Sequence, residues 1–265
     1  EARNAQLLIR AGYVHKEMAG AYTFLPLGWK VLQKIEGIIR EEMDAVGGQE
    51  LHLTSLQNKK VWEASNRWSD EVLDVWFKAE LASGGQVGFG ATHEEPLTNA
   101  LVDHIASYKD LPRYGYQVQT KFRNELRAKS GLLRGREFRM KDLYSFSRTD
   151  EEHEEFYGRM KQAYMNVFMR LGIGDRTYLT FASGGSFSEF SHEFQMVTEA
   201  GEDTIYIDEE KRIALNEEVY RDEVLEKLGM NKEALVATKA TEVGNIFSLG
   251  TRFSLPLKLL YKDES

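Results

Sequence analysis

Between residues 28 and 46 apolar side chains fall at Val31, Leu32, Ile35, Ile38, Ile39 and Met43, the spacing of one helical face. Gly47 and Gly48 then supply a stop. The pattern predicts an amphipathic helix, entered through "YTFLPLG" and left into "QELHLTSL", where Leu51 and Leu53 alternate with polar residues as in a strand. Further on, "EVLDVWFKAEL" and "QVGFGAT" flank "ASGG", a hairpin turn at Gly84 and Gly85. "EEPLTNALVDHIASY" reads as a helix with Leu97, Leu101, Ile105 and Tyr108 on one side. Residues 149–171 form a further helix, whose acidic start "DEEHEEF" suits the positive end of the helix dipole. The charged block "EEKRIALNEEVYRDEVLEKLGMNKEAL" reads as helical and exposed, and "ATEVGNIFSLGTRFS" returns to strand character through Val243, Ile246 and Phe247. Antiparallel-looking strands with segregated helices predict an α+β fold, an antiparallel sheet flanked by helices.

The strand "YQVQTKFRNEL" places Tyr116, Val118, Thr120 and Phe122 on one face, and Gln117, Gln119, Lys121, Arg123 and Glu125 on the other. After the loop "RAKSGLLRG", "REFRMKDLYSF" returns as its antiparallel partner, and register decides whether Phe138 joins the polar face. Charge sharpens this picture. Residues 121–148 hold nine Lys and Arg against three Asp and Glu, +6 in a chain whose net charge is -8. Positive charge gathered inside an acidic chain points to an anion bound at one place, rather than to a surface attracting nucleic acid everywhere. A planar Arg fork suits a phosphate, a carboxylate two residues on accepts from an exocyclic amine, and an aromatic ring offers a stacking surface. Arg123, Glu125 and Phe138 thus describe a nucleoside-phosphate site built on strands, with no Walker or G-x-G-x-x-G motif to compete.

Composition removes other classes. The 265 residues suit one large domain or two small ones. No run approaches the roughly 20 apolar residues of a membrane span, and no charged-then-apolar signal opens the chain, so a soluble, cytoplasmic protein without membrane partners is expected. There is no Cys, and the six His lack metal-binding spacing, so no structural metal is expected.

"FRNE" followed by "RGREF" resembles motif 2 of the class II aminoacyl-tRNA synthetases, and "YQVQTKFRNELRAKSGLLRGREFRMKDLYSF" resembles the prolyl-tRNA synthetases in particular. "AGAYTFLPLGWKVLQKIEGIIREEMDAVGGQE" looks like that family's motif 1, and "THEE" with "SYKDLP" also matches it. The resemblance runs from about Asn4 to Ser254. It implies one class II catalytic domain over residues 1–265, which uses ATP and Mg²⁺ to activate L-proline and then charges tRNA(Pro). By motif position Arg123 holds the α-phosphate, Glu125 reads the adenine amino group, Arg134 reaches the γ-phosphate of a bent ATP, and Phe138 stacks on adenine. Arg123, Thr92 and Glu94 border proline, with Glu94 facing its cationic amine. On the residues alone, Thr92 and Glu95 form a capping box for the following helix, and His93 is structural. In "ASGGSFSEFSHEFQM" either His192 or a residue near Ser186 and Ser188 completes the proline pocket, and Glu242 in "TEVGNIF" is a nucleotide or Mg²⁺ contact. The motif 1 helix implies a homodimer.

Three departures qualify the resemblance. Only residues 209–240 separate "GEDTIYID" from "TEVGNIF", which leaves no room for the editing domain of many bacterial members. Motif 3 is missing, since its only lookalike, "GIGDR" at residues 172–176, has the wrong spacing and place. The anticodon-binding domain is missing too, so the native protein is expected to continue past Ser265. The reading from another class is a non-catalytic dimeric module that binds tRNA or a protein partner through the basic hairpin.

Overall fold

A proline at the first helical position, where no intrahelical N–H partner is needed, opens the long helix that the periodicity predicts. In the computed structural model, which describes residues 2–184 and 190–263, that helix is α2, Pro26–Ala45. Before it come α1 (Arg3–Arg10) and the hairpin β1 (Val14–Met18) and β2 (Ala21–Phe24). After it come β3 (Gln49–Glu50), β4 (Leu56–Asn58), α3 (Lys59–Ala64), β5 (Lys78–Glu80), β6 (Gln86–Phe89) and α4 (Glu94–Leu101). The pair β7 (Arg113–Phe122) and β8 (Glu137–Phe146) follows, then α5 (Asp150–Arg170). The chain divides into two compact units, residues 1–153 with 251–265, and residues 154–250.

In the first unit β3, β7 and β8 form one sheet, parallel between β3 and β7, and β4, β6 and β5 form another. Gly84 and Gly85 turn β5 into β6 with φ of 83° and 94°, the left-handed backbone such a tight turn requires. Residues 71–77, predicted as strand, are not one, because Trp68 and Trp76 fold in against Trp62 instead. Helix α4 stops at Leu101, short of the predicted end. Ile105 packs with Leu111 and Leu259 beyond it.

Helix α2 covers most, but not all, of the face its apolar spacing marks: Met43 is buried and Leu32, Ile35, Ile38 and Ile39 are half-buried. Gly28, Glu36 and Met43 are its buried residues, while Leu27 and Val31 remain 48% and 40% exposed. A side chain at position 28 would meet Tyr13 O at 2.1 Å, so only glycine allows this approach. Buried Glu36 accepts from Arg139 Nε of β8 at 2.9 Å, and Asp44 accepts from the Tyr116 hydroxyl at 2.6 Å. Polar bonds thus add to the apolar contacts in docking this helix.

The second unit contains most of α5 and a closed barrel. Its strands are β9 (Thr177–Ser183), β10 (Phe190–Val197), β11 (Asp203–Asp208), β12 (Ile213–Asn216) and β13 (Val236–Ile246), in ring order β10-β13-β11-β12-β9. Among the described residues of this barrel, β12 and β9 pair in parallel and the other neighbours antiparallel. Residues 209–235, read as one exposed helix, instead form β12 and the short helix α6 (Asp222–Leu228). Leu215, Val219, Leu225 and Met230 make a buried cluster there, so burial of these few residues overrides the helical bias of their charged neighbours. Tyr164 and Phe168 of α5 pack on Phe194 of β10, the Tyr164 and Phe194 rings stacked at 4.8 Å. Among the described residues no helix is long and apolar enough to cross a membrane.

Candidate functional site

Register settles the basic hairpin. Lys121 pairs with Phe138 and Phe122 with Glu137, and the Arg123 N–H donates to Arg136 O at 2.9 Å. Residues directly opposite in an antiparallel pair share a face, so Phe138 lies on the face of Lys121 and Arg123. The Arg123 guanidinium sits 5.3 Å from the Phe138 ring centroid and its Nε donates to Ala91 O at 3.3 Å. One arginine thus links the hairpin's aromatic surface to the strand end that leads into Thr92 and Glu94. Glu125 is half-buried just past β7, whereas Arg134 is exposed, bridged to Lys129 across the loop.

Thr92 and Glu94 come together, but not as helix caps. The Thr92 hydroxyl donates to the Glu94 carboxylate at 2.6 Å, and the residue flanking α4 is His93, which makes no side-chain cap bond. The predicted capping box does not form, because Glu95 is fully buried and turned to Arg67 and Ser65 instead. Arg67 Nη1 donates to both Glu95 oxygens and to Glu94 Oε2, each at 3.1 Å. Its guanidinium lies 5.2 Å from the ring centroids of both Trp62 and Phe253. Burial works against the Arg67 cation, and Glu94 and Glu95 more than restore it. Burial pushes the Glu95 carboxyl up to about 7, with Arg67 opposing.

The polar face of β7 is not a wetted surface below Arg123. Gln117, Gln119 and Lys121 are all buried, Lys121 at 0% exposure. Lys121 Nζ contacts His93 Nδ1 at 2.5 Å and Asp142 Oδ2 at 2.9 Å, and that same oxygen accepts from Gln117 and Tyr144. With the ammonium donating to Nδ1, His93 keeps its proton on Nε2 and donates it to Thr54 O at 3.0 Å. Burial, and then Lys121, lower His93 to about 4, so its ring is neutral at pH 7. His93 is structural, as the sequence suggests, and its neighbours in the chain are Thr92 and Glu94.

In the second unit His192 lies on β10 opposite Phe181 and Ile246. Its Nδ1 sits 2.9 Å from the Tyr157 hydroxyl, which donates to Ile246 O, so the ring offers its proton to Tyr157. Burial lowers it to about 4, leaving Nε2 a neutral acceptor. Glu242 is exposed on β13, its Oε1 accepting from Asn245 Nδ2 at 2.8 Å. Ser186 and Ser188 lie outside the described residues. Sequence reasoning missed Arg67, Lys121 and Asp142 as parts of the site. An arginine in "SNRW" carries no motif, and the alternation that marks Lys121 gives its face without saying that the face is buried.

A family profile described as the tRNA synthetase class II core domain (G, H, P, S and T) matches residues 77–265. The chain is 44% identical over 219 residues to the proline–tRNA ligase of Bacillus cytotoxicus, covering 83% of this chain and 38% of that one. It is 48% identical over 206 residues to that of Streptomyces griseus subsp. griseus, covering 77% and 36%. It therefore spans little more than a third of the length of these relatives. The prolyl-tRNA synthetase of Giardia lamblia in complex with prolyl-adenylate superposes with a TM-score of 0.75 at 16% identity, over 98% of this chain and 46% of that one. That of Cryptosporidium parvum, complexed with L-proline and AMP, gives 0.70 at 14% identity, over 98% and 45%. These two structures establish the class II catalytic fold, and the profile spans well over half of the sequence, including the strand pair that carries Arg123. The chain belongs to the class II tRNA synthetase core-domain family.

Proposed function

We propose that this chain carries the amino-acid-activating site of a proline–tRNA ligase, and that both units belong to one class II catalytic domain. The observation that carries the reading is Arg123, set between the Phe138 ring and the Ala91 carbonyl that precedes Thr92 and Glu94. In the reaction a proline carboxylate oxygen bonds to the α-phosphorus of ATP, the bond to the β-phosphate oxygen breaks, and pyrophosphate leaves with that electron pair. Such in-line displacement needs fixed positive charge at the phosphorus and aligned reactants more than a protein acid or base. Arg123 supplies that charge to the α-phosphate, Phe138 stacks on adenine, Glu125 accepts from its amino group, and exposed Arg134 reaches the γ-phosphate. Glu94, held by Thr92 and Arg67, faces the proline ammonium. In the second unit His192 is the candidate proline contact and Glu242 the candidate nucleotide contact.

Mg²⁺ arrives with ATP. Glu242 would be the carboxylate that contacts the ion, which would neutralise charge on the phosphates. A hydroxyl of the tRNA(Pro) 3′ end then takes the prolyl group from the adenylate, forming an ester as the acyl–phosphate bond breaks and AMP leaves, in a cytoplasmic homodimer joined through the exposed side of α2.

Proline-dependent ATP–pyrophosphate exchange, with threonine, serine and alanine as controls, tests this on the chain and on a form extended through any downstream coding sequence. Exchange with proline alone is expected. No exchange from either folded form would leave a non-catalytic binding module as the better account.

A further inference from the structure

The segment between β7 and β8 carries Glu125 and Arg134, and much of it stands in solvent, Leu126 being 91% exposed. Such a loop does not hold a ligand-reading carboxylate in place without help. The help comes from Arg136, whose guanidinium binds main-chain carbonyls of two distant segments. Its Nε donates to Glu125 O at 3.1 Å, its Nη2 to Leu126 O at 3.4 Å, and its Nη1 to Ala19 O at 2.9 Å. Its backbone joins the same places: Arg136 N donates to Gly20 O at 2.7 Å, and Arg136 O accepts from Arg123 N at 2.9 Å. Glu137 N donates to Gly20 O as well, at 3.1 Å.

We propose that Arg136 is the positioning residue for the nucleotide-reading pair Arg123 and Glu125, and that the β1–β2 turn at Ala19 and Gly20 acts through it. This rests on the nucleotide reading of the hairpin given above. A planar fork with diverging N–H groups spans three carbonyls at once, whereas an ammonium is a single point of charge and cannot keep that geometry. The loop stem is thereby tied to a hairpin more than 100 residues earlier in the chain.

The turn is built for the contact. Gly20 has a φ of 81°, and a Cβ there would lie 2.7 Å from Ala128 Cβ and 2.8 Å from Arg136 N. A side chain at position 20 therefore pushes directly on the loop stem. At the loop's far end α1 makes a second tie, Asn4 Nδ2 donating to Ser130 O at 2.9 Å. That tie leaves Glu125 untouched, so the N-terminal hairpin, not the first helix, sets the nucleotide contact.

Two readouts test the proposal: amide hydrogen exchange across residues 18–21 and 123–136, and calorimetric titration with MgATP and separately with L-proline. Arg136→Met, Arg136→Lys and Gly20→Ala are compared with the parent chain. The expected result is exchange at least ~10-fold faster in the loop stem, MgATP affinity reduced ~10-fold or more, and a clearly smaller loss for L-proline, which Thr92 and Glu94 still border. Gly20→Ala shifts both in the same direction although it leaves the arginine in place. Arg136→Lys restores little, and it carries the comparison if Arg136→Met does not fold. Unchanged exchange in the loop stem overturns the Arg136 tie. Faster exchange with unchanged MgATP affinity, or equal losses for ATP and proline, overturns its positioning role. A parent chain that binds no MgATP overturns the nucleotide reading itself, and the exchange arm then separates that failure from failure of the tie.

Discussion

Lys121 Nζ lies 2.5 Å from His93 Nδ1, in a site from which both side chains have lost all contact with solvent. Burial, helped by the Arg123 charge, lowers the lysine's affinity for its proton, and Asp142 at 2.9 Å opposes that loss. The pair fixes the orientation of the His93 ring, and the chain on either side of His93 is Thr92 and Glu94. Breaking a buried ion pair by removing one partner leaves the other uncompensated. Lys121→Met is therefore expected to cost about 3 kcal/mol or more. Urea unfolding at pH 7 checks this, and a loss under about 1 kcal/mol would show that the network bears little weight.

His93 and His192 give the fold a predictable acid sensitivity. Each has a folded-state value of about 4, below the ordinary 6.5. The unfolded chain therefore binds protons that the folded rings refuse, so their stability is present above 6.5 and is lost as pH falls toward 4. The slope approaches about 1.4 kcal/mol per pH unit for His93, and is smaller for His192, which solvent reaches more. Glu95, raised to about 7, and Glu193, also pushed up by burial, act oppositely over an overlapping range, so the histidine contribution is read from the difference between parent and variant. Unfolding midpoints of the parent and of His192→Gln between pH 6.5 and 4 decide the matter, the variant losing clearly less.

Arg67 is expected to matter more as the pH rises. Glu95 carries a proton below about 7 in the folded state and needs a cation above it. In Arg67→Met the carboxyl at full burial keeps its Ser65 hydrogen bond but loses its cation, so its ionisation becomes costlier still. The variant's destabilisation at pH 8.5 should exceed that at pH 5.5 by about 1.4 kcal/mol or more, the equivalent of one further pKa unit. An equal loss at both values would mean that Arg67 acts by packing between Trp62 and Phe253 alone.

Arg123→Ala is predicted to slow adenylate formation at least ~100-fold, the scale of losing one preorganised contact to the reacting phosphate. Single-turnover measurement of prolyl-adenylate isolates that step from later ones. An unchanged rate removes Arg123 from the chemistry.

The exposed side of α2 predicts self-association. Leu27 and Val31, one turn apart, are 48% and 40% exposed, while polar contacts of Glu36 and Asp44 hold the other side to the sheet. Sedimentation at micromolar concentration should show a dimer, and Val31→Glu a monomer, since a charge on an apolar interface is left unpaired. A monomeric parent would refute the dimer.

The sequence by itself determined the elements whose signals are local. The α2 periodicity, the Gly84–Gly85 turn, the strand pair around Arg123 and the acidic start of α5 all depend on residues a few positions apart, and all are present. Alternation also put Arg123 and Lys121 on one face, and opposite pairing then fixed Phe138 beside them. Tertiary structure alone decided which faces are dry. The same alternation is compatible with a solvated hairpin and with a buried one, and only packing against His93 and Asp142 turned Lys121 inward. It also decided what Glu95 binds, because Arg67 lies 28 positions away and no local spacing couples them. The five-strand barrel was hidden for the same reason: β12 closes it with four residues inside a charged block, and their burial depends on partners elsewhere in the chain. Short-range periodicity encodes a helix or a turn, whereas desolvation and long-range pairing are properties of the assembled fold.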